Sequence, residues 1–317
     1  NKDQSYGLRY NTFSYGDIGG ATNIDARASK QRKQTTFGYA VTNRNYRHRW
    51  NFTHSTGLNK KGWAFTVSGS RRWADEGYIP GTYYDGWSYF VAIDKRFSDK
   101  SLLSLTVFGA PTENGRQGAA VKELMNLAGT NYYNPNWGYQ NGKKRNATVG
   151  KTNQPMVILT HDIRLNDKTT ITNALGYSFG KRSVSALDWY KAPDPRPDYY
   201  RYLPSYYNSV AIQDIYQYDQ LQTFLTNDES ARQINWARLY DANRSNITTV
   251  HNANGITGND VSGKRSLYVI SDRTVYTRRM NFNTVLNTSF GKHVDFSSGI
   301  TFQNQDNHYY LQVADLL

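Results

Sequence analysis

The chain has 317 residues, a formal net charge of +13 and no cysteine, while 38% of its residues are hydrophobic and 15% are aromatic. The lack of cysteine excludes disulfides and thiolate metal sites within it, and the lack of an apolar run of roughly 18 residues predicts no transmembrane helix. A polar chain this rich in tyrosine is either a binding surface or a β-barrel with aromatic girdles at the membrane interfaces.

The first distinctive segment is GDIGGATNIDARAS, residues 16–29. It places three glycines within five residues and then alternates briefly before Arg27. Glycine permits positive φ and close approach by another backbone. The pattern predicts a kinked strand, and the rest of the chain is needed to explain it.

After residue 30, apolar and small or polar residues alternate with the period of β-strands. Within residues 63–73, for example, Trp63, Phe65 and Val67 share one face, and Ala64 and Thr66 share the other. The predicted strands span about 31–42, 46–58, 63–75, 87–97, 102–112, 155–165, 169–183, 266–290 and 294–308.

The joins between these strands differ in length in a regular way. Tight polar turns are predicted at 59–62, 98–101, 166–169 and 291–293, and longer joins at about 76–86, 113–154 and 184–265. The first join, near TNRN, is the short exception. Alternate joins of an up-and-down barrel lie on opposite rims, and outer-membrane barrels have short turns on one rim and long loops on the other. The predicted fold is therefore all-β, an antiparallel transmembrane β-barrel with long extracellular loops that carry short helices.

Two short helices are predicted in the longest loop. Leu221, Phe224 and Leu225 form one near-helical set, and Ile234 and Leu239 belong to a second. Asp228 or Ser230 is the predicted cap of the second helix.

Clusters of aromatic residues in the two long loops are the candidate ligand contacts. A flat ring with a polar tip contacts sugars and peptides at a low entropy cost. The alternative is that these rings only pack the loops together. The candidates are Tyr132, Tyr133, Trp137 and Tyr139 in one loop, and Trp189, Tyr190, Tyr199, Tyr200, Tyr206 and Tyr207 in the other.

Motifs for catalysis and cofactor binding lack the context they need. GYSFG at 176–180 lies within a predicted strand, whereas a nucleophile elbow needs a strand-to-helix turn. GNDVSGKR at 258–265 has Arg265 where a phosphate loop has Ser or Thr. The histidines lack zinc spacing, and an irregular calcium loop with Asp188, Asp194 and Asp198 is the weaker alternative to solvated acids. We expect no catalytic residue, no metal, no cofactor and no enzymatic activity.

Residues 16–29 resemble the end of the plug domain in TonB-dependent outer-membrane receptors. In those receptors a glycine pair precedes a strand of the form G-x-I-N-I-x-T-R. In this chain Thr22 stands where the receptors usually have Val or Ile. The segments at 69–95, 105–117, 134–146 and 234–244 resemble the receptors of Bacteroidetes-type bacteria. The matching positions of the plug-end motif are Gly19, Gly20, Asn23, Ile24, Asp25 and Arg27.

The resemblance implies a barrel of about 22 strands around a plug. Residues 1–30 would be the C-terminal end of the plug domain, and residues 31–317 the N-terminal part of the barrel, about nine strands. Glycine would let the plug strand pass close to the wall, and Arg27 would pair with lumen carboxylates.

The resemblance also implies a function and partners. The protein would import a scarce nutrient, such as a metal chelate, glycan or peptide, using a TonB-type inner-membrane energy complex. Outer-membrane lipid and lipopolysaccharide would surround it, and a surface lipoprotein partner is left open. On the residues themselves, Lys143–Arg145 and Lys151 either meet lipopolysaccharide phosphates or are simply solvated.

Two other classes of function remain open on the residues alone. One is a structural barrel subunit of an outer-membrane assembly, and the other is a soluble β-rich binding module. The positive charge is scattered along the chain rather than gathered on one helix, which favours solvated loops and lumen walls, and we expect no nucleic-acid partner.

Overall fold

The computed structural model describes residues 2–6, 19–291 and 293–317. The strands are β1 Lys2–Tyr6, β2 Gly20–Ile24, β3 Gln34–Val41, β4 His48–Ser55, β5 Trp63–Ala74, β6 Tyr84–Ser98, β7 Ser101–Gly109, β8 Thr112–Gly115, β9 Trp137–Gln140, β10 Lys143–Asn146, β11 Val149–Asn153, β12 Met156–Asn166, β13 Thr169–Trp189, β14 Ile247–Val250, β15 Val261–Lys264, β16 Tyr268–Phe290 and β17 Val294–Asp315. The α-helices are α1 Lys122–Leu127, α2 Pro204–Tyr207, α3 Ile215–Asn227 and α4 Trp236–Ser245.

One large antiparallel sheet forms a wall. Its strands follow chain order from β3 at one edge to β17 at the other. After a short break β8 continues β7, and β11 leads in the same way into β12, so that within the described residues the wall has nine strand rows. This count and the strand positions agree with the prediction.

The two rims of the wall differ as expected. Residues 56–62, 99–100, 167–168 and 291–293 join strands on one rim, which we call the turn rim. Residues 42–47, 75–83, 116–148 and 190–267 join strands on the other, the loop rim. At 21 to 23 residues, β13, β16 and β17 are about twice as long as a membrane-spanning strand needs to be.

The two surfaces of the wall are chemically distinct. On β5, Phe65 is 42% exposed on the outer surface, while Thr66 on the inner surface is 5% exposed. Small and hydroxyl side chains bond across the inner surface, as Ser55 Oγ does with Thr66 Oγ1 at 3.0 Å. An apolar outer surface and a polar inner one are typical of a membrane barrel.

The loops at 116–148 and 190–267 fold together into a cap over the loop rim. One hydrophobic cluster joins Leu124 of α1 to Leu203 and Leu225, and another joins Trp236 and Leu239 of α4 to Ile270 of β16. No helix in the described part of the chain is long and apolar enough to cross a membrane.

Both predicted helices of the longest loop exist, but the predicted cap is wrong. Asn235 caps α4 by accepting a hydrogen bond from the Arg238 backbone N–H at 3.0 Å. Asp228 instead caps a separate 3₁₀ turn, Glu229–Arg232. Asp and Asn are equally good N-caps, so residue type alone does not show which of them begins the helix. The 3₁₀ turn lies between Asp228 and Asn235.

Candidate functional site

Strand β2 begins with a glycine, Gly20, that the backbone requires. β2 pairs with β1 as a two-stranded antiparallel sheet, and Gly20 lies opposite Tyr6. Gly20 has φ of +102°, which residues with a side chain rarely adopt, whereas a Cβ on Gly19 would meet no neighbour. Asn23 lies within β2, and residues 16–18 of the motif lie outside the described residues.

Arg27 connects this segment to the wall. Its guanidinium donates to Asp25, with Nε–Oδ1 at 2.8 Å and Nη2–Oδ2 at 2.6 Å, and to Asp162 on the inner surface of β12. Thr172 Oγ1 also donates to Asp162, at 2.9 Å. Burial opposes ionisation of Asp25, but Arg27 outweighs it and holds the pKa of that carboxyl below its usual range. Two carboxylates, Asp25 and Asp162, thus bind the single positive charge of Arg27 in a half-buried position.

The 3₁₀ turn at Ala28–Lys30 packs directly against the wall. Ala28, Ala64 of β5 and Ala92 of β6 form one buried cluster. The Ser29 backbone N–H donates to Asp94 Oδ2 on β6 at 2.7 Å. Alanine is small enough to allow this approach, so residues 25–30, together with the wall residues they touch, form a dock that we call the anchor site.

Three of the candidate aromatics stabilise the cap. Tyr133 is buried and donates its hydroxyl to the Arg232 carbonyl at 2.7 Å. Trp137 is 2% exposed, and a Cβ on Gly81 would overlap its ring. Trp189 is half-buried, with the Arg196 guanidinium 5.1 Å from its ring centre. These contacts follow the alternative interpretation, in which the rings pack the loops.

Other candidates are exposed at separate points of the cap. Tyr132 meets Tyr78 edge-on, with ring centroids 5.8 Å apart. Tyr139 lines a cavity of about 280 Å³ that α4 closes on one side. Tyr190 lies between the cations of Lys191 and Arg265, at 5.5 and 5.8 Å from its ring centre. The structure therefore does not bring all the candidates into one site.

Four candidates do lie together, in a tyrosine cluster at residues 199–207. Successive ring centroids are 4.8 to 5.6 Å apart, mostly in edge-on contacts. Arg201 Nε donates to the Tyr200 hydroxyl at 2.9 Å, and this bond lowers the pKa of Tyr200. The members are Tyr199, Tyr200, Tyr202, Tyr206 and Tyr207. Tyr202 was missed, although it belongs to the same tyrosine-rich segment.

Sequence patterns also missed a stacked ion pair on the outer surface. The Arg71 guanidinium lies between the rings of Trp73 and Trp87, at 5.2 and 4.8 Å from their centres. Its Nε donates to Asp85 Oδ1 at 3.0 Å. The four residues form two register pairs between β5 and β6, Arg71 with Trp87 and Trp73 with Asp85. Such an aromatic group near the end of an apolar surface is typical of a membrane interface.

The acids considered for calcium bind protein groups instead. Asp194 accepts from the Arg196 guanidinium at 2.6 Å, and Asp188 Oδ1 accepts from the Trp189 backbone N–H at 2.9 Å. Across the described ranges, no group of three or more metal-ligating side chains comes together.

Solved structures with a similar fold are receptors. The ferric-catecholate import receptor Fiu from E. coli K12 matches in its open form with a TM-score of 0.54 at 10% identity, over 93% of this chain and 37% of the receptor. Its closed form matches with a TM-score of 0.52 at 10% identity, over 93% and 34%. The receptor FpvA of P. aeruginosa, in complex with iron and a heterologous pyoverdine, matches with a TM-score of 0.51 at 8% identity, over 94% and 30%.

The chain thus spans about a third of the length of these receptors. No protein-family model and no curated protein matches its sequence. The neighbours are TonB-dependent receptors of the outer membrane, and what this chain shares with them is their fold. The antiparallel transmembrane β-barrel predicted from the sequence is confirmed: the chain forms part of such a barrel wall, with long loops on one rim.

Proposed function

We propose that this chain belongs to a TonB-dependent receptor of the bacterial outer membrane that imports a scarce nutrient, such as a metal chelate, glycan or peptide. The anchor site is the observation that carries the proposal. Arg27 binds Asp162, and Ser29 binds Asp94, so a segment from before the first wall strand is fixed to the inner surface. A plug that closes the barrel needs such a connection.

In this proposal residues 1–30 are the end of the plug, and residues 31–317 are the first part of the barrel. Further strands would complete the wall around the plug. A TonB-type inner-membrane complex would supply the energy by pulling on the plug. Import makes and breaks no bond in the nutrient, so no residue of this chain is assigned a catalytic role.

The cap would capture the nutrient. The tyrosine cluster at 199–207 presents adjacent rings with hydroxyl groups and the cation of Arg201 at the surface of the cap. Tyr132, Tyr139 and Tyr190 present further exposed rings. Stacked rings with polar tips bind flat or sugar-like groups at a low entropy cost.

The outer surface would lie in lipid. Its apolar side chains end near the Arg71–Asp85 pair, and in the register row of Asp85 an exposed Lys151 is bound to Glu113 at 3.3 Å. We assign lipopolysaccharide phosphates to this level, contacted by Lys143–Arg145 and Lys151. The Bacteroidetes-type assignment is supported only by the resemblance of the barrel and loop segments at 69–95, 105–117, 134–146 and 234–244, and a surface lipoprotein partner is left open.

A reversible crosslink tests the role of the anchor site. The chain has no cysteine, so Ala28→Cys with Ala64→Cys introduces a single pair within one buried cluster. In cells with an intact energy complex, the oxidised pair should abolish nutrient uptake, and reduction should restore it. Each single variant serves as the control.

Two results would contradict the proposal. One is recovery of the native protein in the soluble fraction after membrane separation. The other is nutrient uptake that continues after deletion of the protein or of the inner-membrane energy complex.

A further inference from the structure

Two arginines oppose each other on the inner surface of the wall, close to the loop rim. Arg49 of β4 and Arg72 of β5 are register partners. Their side chains share the inner surface with Ala64, which packs against the anchor site. Like charges directly opposite each other on neighbouring strands repel and destabilise the sheet. This pair therefore costs free energy unless something else binds there.

Within the described part of the chain, no carboxylate forms an ion pair with Arg49 or Arg72. The Nε atoms of both are buried and have no hydrogen-bond partner among the described residues. Of the acids near this pair, Asp85 binds Arg71 on the outer surface, Glu76 binds Lys144 at 2.6 Å, and Asp75 is exposed in the loop after β5. A buried donor without a partner is costly, and it is satisfied when an acceptor arrives.

A cavity of about 710 Å³ opens beside Arg72. The Tyr46 ring lies 5.6 Å from the Arg72 guanidinium and 6.0 Å from the Tyr84 ring, which fixes the direction of that cation. The volume of the cavity is in the range of small-molecule pockets. The lining consists of Asn43, Arg44, Asn45, Tyr46, Arg72, Tyr78 and Tyr84. These side chains offer cations, hydroxyls and amides but no carboxylate.

We propose that this cavity, with Arg72 in its lining and Arg49 opposite Arg72 on the neighbouring strand, is an anion site that binds a carboxylate or phosphate group of the imported nutrient. A guanidinium matches the two oxygens of such a group with two parallel hydrogen bonds. An anion between the two arginines replaces their repulsion with two attractions, while the tyrosines contact the flat part of the ligand. The inference rests on the proposed function, and it selects an anionic nutrient over a neutral glycan.

The site is tested with the native protein purified from outer membranes in detergent. Calorimetry would use citrate as a carboxylate probe, inorganic pyrophosphate as a phosphate probe and maltotriose as a neutral probe. We expect citrate or pyrophosphate to bind, with an affinity that falls as salt increases, and maltotriose not to bind at this cavity. The double variant Arg49→Gln with Arg72→Gln should bind the anions at least tenfold more weakly.

A matched control removes two positive charges elsewhere. Lys60 and Lys61 lie in the exposed turn between β4 and β5, on the turn rim. The double variant Lys60→Gln with Lys61→Gln should leave anion binding unchanged. Thermal unfolding gives an independent measure, because a ligand that binds the folded state raises Tm. Whichever of citrate and pyrophosphate binds should raise Tm of the wild type but not of the double arginine variant. Without citrate, that variant should unfold no earlier than the wild type, because a repulsion has been removed.

Equal anion affinity in the wild type and the double arginine variant would overturn the inference, as would no anion binding by either. A large drop in Tm of the variant without citrate would also overturn it, because it would show that a carboxylate of the protein holds the arginines. The proposed function fails separately. If cells lacking the protein take up nutrients normally, import is wrong, whereas uptake that is unchanged in the arginine variant refutes only the anion site.

Discussion

Along β5 of the wall, neighbouring side chains lie on opposite surfaces, so that Phe65 is largely exposed beside a buried Thr66. Along α4 of the cap, Trp236 and Leu239 point to the same side and are 1% and 4% exposed within one cluster. The wall is a single layer whose apolar outer side chains are left exposed by the rest of the chain. The cap is a small folded unit with a core of its own.

This difference shows that the two regions are held together by different interactions. The wall is stabilised by strand pairing, and β13 and β16 stay in register without a shift from Thr169 to Trp189. The cap depends on contacts between residues far apart in sequence, such as Tyr133 with Arg232. Cap and wall should therefore respond separately to substitution.

The largest effect is expected from Trp236→Ala. The ring is buried in the cap cluster, with the Arg145 guanidinium 4.4 Å from its centre. Truncating a buried tryptophan costs about 3–5 kcal/mol. Hydrogen exchange should show that α4 loses protection, while the half of β13 near the turn rim keeps its protection. Tyr139→Ala, at an exposed ring of the same cap, is the control and should change neither; equal loss in β13 would mean that cap and wall unfold together.

Asn243→Leu should destabilise both the cap and the adjoining part of the wall. Asn243 of α4 is buried, donates to the carbonyls of Tyr268 and Leu316 at 2.8 and 2.6 Å, and accepts from the Tyr268 N–H at 3.0 Å. Each buried backbone group left without a partner costs about 1–3 kcal/mol. Protection should fall in α4 and in the first residues of β16. If β16 stays fully protected, Asn243 does not couple the two regions.

A smaller effect is expected from Gly81→Ala, paired with Gly142→Ala as its control. Both glycines have positive φ, +73° and +75°, which costs an alanine about 1–2 kcal/mol. Only Gly81 also meets the ring of Trp137, while a Cβ on Gly142 meets nothing. Cap stability, measured by proteolysis of the loops, should fall further for Gly81→Ala than for Gly142→Ala. Equal losses would mean that the tryptophan can move aside.

The sequence predicts the wall better than the cap for the same physical reason. Alternation with period 2 is a local signal, and the prediction of a strand at 169–183 was met by β13, which runs on to Trp189. The burial of Trp137, by contrast, depends on Gly81, which lies 56 residues earlier. The helix α1 was missed, since six residues give little periodicity. The Arg49–Arg72 pair was missed because strand register cannot be read from either strand alone.

The smallest effect is a pH dependence of the anchor site, where residues 25–30 meet the wall. The pKa of Asp25 is lowered in the folded state by Arg27, so its contribution to docking is complete above the ordinary aspartate pKa of about 4 and is lost as pH falls through the folded value. A spin label at Ala26→Cys should be immobile at neutral pH and become mobile in acid. In Asp25→Asn the label should be more mobile at neutral pH and change less on acidification. A label that stays immobile in acid would mean that Asp94 and the alanine packing hold the segment without the Arg27 ion pair.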